Sequence, residues 1–411
     1  MEPAYIKRAL EEVFLNAISQ FPAVVLTGPR QSGKTTLLRR LFRDTATYVS
    51  LETPDVRAAA VEDPRGFLQL YPPPVIFDEV QYAAGLLPYI KERIDEDRHR
   101  AGQYFLTGSQ NLLLLEKVTE SLAGRAAILK LLPISRREEE GLLERPFPWA
   151  LKTPLSKLSS ESERADTGNF WDRALRGQYP ELVANTGRDI QLWHGSYIQT
   201  YLERDVRSLR QIGDLTIFQS FLRMLAARSG QLLNLAGMGR DLGVALNTVK
   251  KWISVLEATH QICVLRPYFV NVNKTLVKTP KIYFTDTGTL SYLCGLRDPQ
   301  HAATGPMGGA IFETSILSEI RKTFLNSGEE PRIYFWRTTS GWEVDFVVEW
   351  EGKLVPIEAK TSATPNTGMA KGIRIFQEEY GDRAAPGYVI HPGDITLPLG
   401  SGVIALPFRD L

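Results

Sequence analysis

The sequence predicts an α/β chain with a parallel sheet toward its N-terminus, a helical middle and a second α/β unit toward its C-terminus. Three observations predict this. Short apolar runs alternate with helical spacing from residue 23 to 132, the order that builds a parallel sheet covered on both faces. Residues 170–230 turn to helical spacing rich in Trp, Tyr, Leu and Arg, and roughly the last 110 residues again mix strands with helices. A length of 411 residues leaves room for two or three domains at about 100–200 residues each, which excludes a single small binding module.

Composition narrows the class. With 43% hydrophobic and 23% charged residues the chain reads as a globular protein, not a disordered or collagen-like one. Forty-eight basic against 47 acidic residues leave a formal charge of +1, so no overall basic excess points to nucleic acid, while local patches stay open. The two cysteines, Cys263 and Cys294, sit in apolar stretches without a CxxC partner, which argues against a disulfide framework or a zinc site. The N-terminus lacks a basic start followed by an apolar core, and no apolar run approaches about 18 residues. A cytoplasmic protein with no membrane segment is therefore expected.

Taken in order, strands are expected at 23–27, 47–51, 74–78, 103–107 and 126–132, which together make a first domain over 1–140. From residue 138 to about 162 the composition shifts to Glu, Pro, Lys and Ser, which reads as a connector, placed at 141–169. A helical segment follows at 170–230. Over 231–295, two short helical patterns divide at Gly243, with Leu242, Leu246, Val249, Trp252, Val255 and Leu256 able to face one core. Two β-rich stretches at 262–270 and 279–285 complete the spacing of a helix-turn-helix with a wing. The last unit, 296–411, holds a helix at 310–324, strands at 333–336, 343–349 and 354–359, a helix near 369–380 and a strand at 388–390.

Gly28-Pro29-Arg30-Gln31-Ser32-Gly33-Lys34-Thr35 fits the spacing G-x-x-x-x-G-K-[ST] between an apolar strand and a helix that continues through Thr36. Glycines let backbone N–H groups turn inward around phosphate oxygens, and the helix start aims its positive dipole end at the same anion. Lys34 would reach the outer phosphates and Thr35 would hold Mg²⁺ through its hydroxyl. The apolar strand 75–78 ends in Asp78 and Glu79. Asp78 is expected on Mg²⁺, and Glu79 as the base that orients and deprotonates the attacking water. Ser109, after the next strand, is placed to touch the γ-phosphate or that water. Arg125 reads equally as a finger reaching a neighbouring subunit's nucleotide or as a helix C-cap.

A second constellation follows from turn arithmetic. If Glu351-Gly352 is a tight hairpin turn, Trp350 pairs with Lys353, Asp345 falls opposite Glu358, and Glu343 opposite Lys360, all four on one face. Facing acids are destabilising unless neutralised. A divalent metal held by Asp345 and Glu358, with Glu313 from the preceding helix, would neutralise them, and Lys360 would then stabilise an attacking hydroxide. The alternative is a structural charge lattice in which Lys360 bridges Glu343 and Glu358. Pro356 in the second strand, unable to donate a ladder hydrogen bond, is a place where a bulge would break this register.

With these residues in place, the whole sequence resembles prokaryotic AAA-type ATPases that carry a C-terminal domain of unknown function. The likeness runs over nearly the entire chain. It is carried by the Gly28 to Thr35 loop, residues 75–81 and 106–110, Ser121 to Arg125, Gly177 to Glu181, Tyr201 to Asp205, Lys281 to Gly288, and Glu343 to Lys360. The resemblance implies a P-loop NTPase parallel sheet that uses ATP and Mg²⁺, a winged helix, and a terminal α/β domain similar to restriction-endonuclease folds. In that nuclease pattern Asp345, Glu358 and Lys360 match the strand acid and the E-x-K, and Glu313 matches the helix acid. Glu343 stands where the pattern often has proline, and the helical region shows no second sensor arginine of ring-forming machines.

The expected function is a Mg²⁺-dependent hydrolysis of ATP to ADP and phosphate that rearranges the winged helix and the nuclease-like domain on DNA. Asn247, Thr248, Lys250 and Lys251 would meet phosphates or base edges. The alternative is an ATP-dependent switch that holds a protein partner and cuts nothing. A small-molecule kinase is a third reading.

Overall fold

The computed structural model of the chain describes residues 5–109, 118, 120–150, 170–202, 215–268, 278–400 and 402–411. β1 (Ala23–Thr27) is buried at every position. Val24 and Leu26 face a cluster with Leu10, Phe14, Leu37, Leu38, Ile76 and Phe105, whereas Ala23 and Val25 face a second cluster with Val75, Phe77, Ile90 and Leu106. A strand covered on both faces reads as one continuous apolar run, which is why its sequence shows no alternation.

Among the described residues the first sheet has the order β2 (Thr47–Ser50), β3 (Val75–Asp78), β4 (Tyr104–Gly108), β1, β5 (Ala126–Lys130), all parallel. α1 (Leu10–Gln20) precedes β1, and α2 (Lys34–Leu41) follows the glycine loop. Both pack on the Val24 and Leu26 face. The carboxyl ends of β1, β3 and β4 therefore come side by side, the edge at which α/β sheets bind ligands. The expected strands agree to within one or two residues at each end.

The middle is helical, with helices at Phe170–Arg176, Pro180–Ala184, Ile190–Tyr197 and Leu215–Ala227. Helices Leu235–Leu242 and Leu246–Ala258 break at Gly243, as expected. Val249, Trp252, Val255 and Leu256 are buried, and Trp252 packs on Phe218 and Phe221. Leu246 departs from the expected core face: it opens the second helix and is 41% exposed. β6 (Ile262–Leu265) and β7 (Lys281–Phe284) form an antiparallel ribbon. Of the rest of the expected 262–270 strand, 266–268 leave the ribbon, Pro267 bridging Phe335, and 269–270 lie outside the described residues, as do 203–205 of the Tyr201 to Asp205 motif.

The compositional shift from residue 138 starts inside a short helix, ahead of the expected connector at 141–169. Residues Arg136–Glu139 form a short helix with a Ser135–Glu138 capping box, and Arg136, Arg137 and Glu138 are buried. Phe147 is buried against Phe324 and Trp350. Charges around this stretch pair with distant parts of the chain. The Arg136 amide donates to Glu319 at 2.9 Å, and Lys322 Nζ donates to the Ile134 carbonyl at 3.0 Å. Arg145 meets Asp410 at 3.0 Å. Residues 151–169 lie outside the described set.

The last unit packs helix Gly308–Asn326 against a mixed sheet. Among the described residues its strand order is β12 (Leu397–Pro398), β13 (Val403–Pro407), β11 (Gly387–His391), β10 (Lys353–Ala359), β9 (Glu343–Trp350), β8 (Ile333–Arg337). The sequence reading missed β12 and β13. Glu351 and Gly352 both take left-handed backbone, φ 47° and 77°, as a two-residue hairpin with the native strand twist requires. Trp350 pairs with Lys353 and Phe346 with Ile357, and the register runs through Pro356–Val347 unshifted.

Candidate functional site

The loop after β1 turns tightly into α2. Gly28 has φ 148°, and a Cβ there would lie 2.1 Å from the Leu131 carbonyl oxygen. Gly33, at the cap of α2, has φ 94°. Glycine is required at both positions for the loop to turn tightly and lead into the helix. Lys34 is buried, its ammonium donating to the Gly28 and Pro29 carbonyls at 3.0 and 2.8 Å, so the cation already lies across the loop. Ser32 is fully buried, and its Oγ has no hydrogen-bond partner among the described residues. A buried hydroxyl so placed is a group a ligand oxygen would satisfy.

β3 and β4 bring the acids to this loop. Thr35 Oγ1 lies 3.1 Å from both oxygens of Asp78. Asp78 also accepts from Tyr48 Oη at 2.7 Å and from Thr107 Oγ1. Glu79 has left-handed backbone, φ 56°, uncommon for a residue with a side chain. Its amide donates to Thr107 Oγ1 at 3.0 Å, and its carboxylate accepts from Ser109 Oγ at 2.9 Å, the Ser109 amide at 3.2 Å and the Gln81 side-chain amide. Burial raises the Glu79 pKa, but the Lys34 charge, the Gln81 hydrogen bond, Arg30 and Ser109 outweigh it. The group is held below the usual glutamate value and stays ionised.

The hydroxyl of Thr35 and the carboxylate of Asp78 are hard oxygen donors beside the loop, which fits Mg²⁺, an ion that takes one or two carboxylates and completes its shell with phosphate and water. A cavity of about 270 Å³ opens beside the loop, between Tyr5, Ile6, Thr36, Pro180 and Ala184.

Of the residues expected from sequence, Gly28 to Thr36, Asp78, Glu79 and Ser109 come together. Ser109 bonds the Glu79 carboxylate. Arg125 does not join them: its guanidinium meets Asp95 at 2.7 and 2.9 Å and the Ala123 carbonyl at 3.1 Å. Tyr48, Thr107 and Gln81 were missed. Thr107 stood inside the motif that named Ser109, whereas Tyr48 carried no local signal.

The second constellation lies on β9 and β10. Asp345 and Glu358 follow the last registered pair, Phe346–Ile357, and both are buried. Asp345 accepts from the Ala359 amide at 2.9 Å, and Lys360 meets Glu358 at 2.8 Å. Glu343 takes Arg337 at 3.2 Å and Lys281, whose ammonium also lies 3.9 Å from Asp345. Lys360 thus bonds Glu358 alone of the two acids expected for it in the lattice. Burial and the Asp345 charge push Glu358 well above the usual carboxylate range and Glu313 up to about 8. Lys281 and Tyr283 were not anticipated: both project from β7, and Tyr283 donates to Glu313 at 2.9 Å.

The metal expected on Glu313, Asp345 and Glu358 meets a different arrangement. Among the described residues no group of three or more His, Cys, Asp or Glu side chains is gathered to hold a metal ion. The positive charge at these acids comes from Lys281, Lys360 and Arg337. As they stand, Asp345 and Glu358 are two carboxylates balanced by cations of the chain itself, and Glu313 bonds Tyr283.

Glu313 gives a testable pH dependence. Its folded pKa, about 8 from 4.5, means the folded chain binds an extra proton between those values. Stability contributed by the neutral carboxyl is then lost as pH rises from about 4.5 to about 8. Glu313→Gln, neutral at every pH, is expected to melt higher than the native protein at pH 8 and to differ little at pH 4.5. Equal melting shifts at both pH values would contradict the assignment.

Comparisons with known proteins match these regions. Residues 20–139 match a family described as "AAA domain". Residues 167–300 match "Domain of unknown function (DUF8612)", and 308–411 match "Domain of unknown function (DUF4143)". The uncharacterized proteins Rv2008c of Mycobacterium tuberculosis and Mb2031c of Mycobacterium bovis are each 28% identical over 391 residues, which span 95% of this chain and 81% of theirs. Among solved structures, the Walker-type ATPase PABY2304 of Pyrococcus abyssi overlays with a TM-score of 0.42 at 17% identity, covering 69% of this chain and 94% of its own. A single-substitution variant of RuvB from Thermotoga maritima overlays with a TM-score of 0.25 at 14% identity, covering 62% and 86%. No helix among the described residues is long and apolar enough to cross a membrane. A parallel sheet whose first strand feeds a glycine loop and helix, inside the region that matches the AAA domain, has one consistent reading: the chain carries an AAA-type P-loop ATPase domain and ends in a C-terminal domain of unknown function.

Proposed function

We propose that the chain hydrolyses ATP to ADP and phosphate with Mg²⁺ and uses the cycle to rearrange its middle and terminal domains on DNA. The observation that carries the reading is the direct contact of Thr35 with Asp78 beside an ionised Glu79 at the mouth of the glycine loop. The loop 28–35 binds the phosphates through main-chain amides, and the Lys34 ammonium leaves the Gly28 and Pro29 carbonyls for phosphate oxygens. Thr35 and Asp78 would hold Mg²⁺, which neutralises charge on those oxygens. Glu79 accepts the proton of the attacking water, and Ser109 and Gln81 fix its carboxylate. The cavity by Tyr5, Ile6 and Pro180 suits the base. Arg125, paired with both oxygens of Asp95, would leave that carboxylate to reach a neighbouring copy's nucleotide as a finger.

Release of phosphate from ATP and Mg²⁺ without any added acceptor tests the reading. ADP formation that requires an acceptor would replace it with a kinase.

For the remainder, exposed Asn247, Lys250 and Lys251 on helix Leu246–Ala258, ahead of the β6–β7 ribbon, support a winged helix on DNA. Buried Asp345 and Glu358 beside Lys360 support a nuclease-like site, with Glu313 as a further acid. A second reading, a switch that holds a protein partner and cuts nothing, is favoured by Lys281 and Tyr283, which already occupy the acids. Plasmid nicking with Mg²⁺ or Mn²⁺ separates them. Nicking that Lys360→Ala abolishes supports cleavage, and no nicking across DNA forms supports the switch.

A further inference from the structure

Arg8 precedes α1 and is 4% exposed, and its guanidinium binds groups far from it in sequence. Its Nη1 donates to the Ser32 carbonyl at 2.8 Å and its Nη2 to the Leu132 carbonyl at 2.7 Å. Its Nε meets Glu138 Oε1 at 3.0 Å. Glu138 is anchored in turn: its Oε2 accepts from the Ser135 amide at 2.7 Å, and its Oε1 from the Ala9 amide at 2.9 Å. The guanidinium is thus held in one orientation with one arm on the phosphate loop.

The atom it grips matters. In a trans peptide the carbonyl and the following N–H point to opposite sides. Because Arg8 holds the Ser32 carbonyl, the Gly33 N–H points the opposite way, away from Arg8. A carbonyl free to rotate would at times present its oxygen to the anion instead. We infer that Arg8 is a positioning residue for the nucleotide, one that presets the Ser32–Gly33 peptide so the loop offers donors to the β-phosphate. This rests on the ATPase reading above.

Arg8→Lys keeps the charge but not the planar fork that serves three acceptors at once. In the full chain it is expected to weaken ATP and ADP by the same factor, roughly 10-fold for a charge-assisted hydrogen bond. KM for ATP should rise by that factor while kcat stays near the native value, a split that general loss of structure would not produce. In a Lys34→Ala background, Arg8→Lys should cost less than it does alone, because both act on one loop. Native affinity in folded Arg8→Lys, or loss of kcat at unchanged KM, overturns the inference. Should Arg8→Lys not fold, Glu138→Gln must show the same equal loss for ATP and ADP, and native affinity there overturns it. If Lys34→Ala itself left nucleotide binding intact, the ATPase reading would fail. If only Lys34→Ala weakened binding, the role of Arg8 alone would fail.

Discussion

Glu79→Gln is expected to lower ATP turnover by roughly 10²–10⁴-fold, the contribution of a well-placed general base, while ATP binding survives. The amide cannot take a proton from water, yet its carbonyl can still accept from Ser109, so the turn after β3 keeps its shape. Removing a negative charge near the triphosphate also takes away repulsion, so affinity should not fall. The Glu79 carboxylate is held ionised against its own burial by Lys34, Gln81, Arg30 and Ser109, so native activity should persist below neutral pH. Single-turnover hydrolysis beside equilibrium binding checks both halves. Normal turnover in Glu79→Gln would move the base to another residue.

Lys34→Ala acts on the other half of the site. The lysine is buried and bonds two loop carbonyls, so its loss removes the cation that meets the outer phosphates and frees the Gly28 and Pro29 carbonyls. The expected loss of affinity is about 10–100-fold, as for one charge-assisted hydrogen bond or more. Turnover should fall further, since Lys34 is the largest charge holding Glu79 ionised. Titration of ATP and ADP into the folded variant measures this. A variant that bound both like the native chain would place the phosphates elsewhere.

The two sites were legible to different degrees, for physical reasons. A glycine loop between an apolar strand and a helix fixes its own geometry locally, so residues 28–35 could be read directly. The hairpin was readable because Glu351-Gly352 is a two-residue turn and register then follows by counting. Contacts between units were not readable. Arg136, Arg137 and Glu138 look like a solvated charge run until Glu319 and the chain's last residues close over them. Lys281 is far from Glu343 in sequence, so nothing in the spacing of β9 and β10 announces that a lysine of β7 neutralises their acids. Leu246 belonged to the right helix but stands at its first residue, where it is exposed.

The central claim is that a triphosphate binds at the carboxyl end of β1. Isothermal titration calorimetry of the folded full chain with ATP and Mg²⁺ tests it most directly, run beside Lys34→Ala. The account predicts a saturable heat with one nucleotide per chain that Lys34→Ala greatly weakens. A native protein that gives no binding heat at several temperatures, or a Lys34→Ala protein that binds equally well, would contradict it.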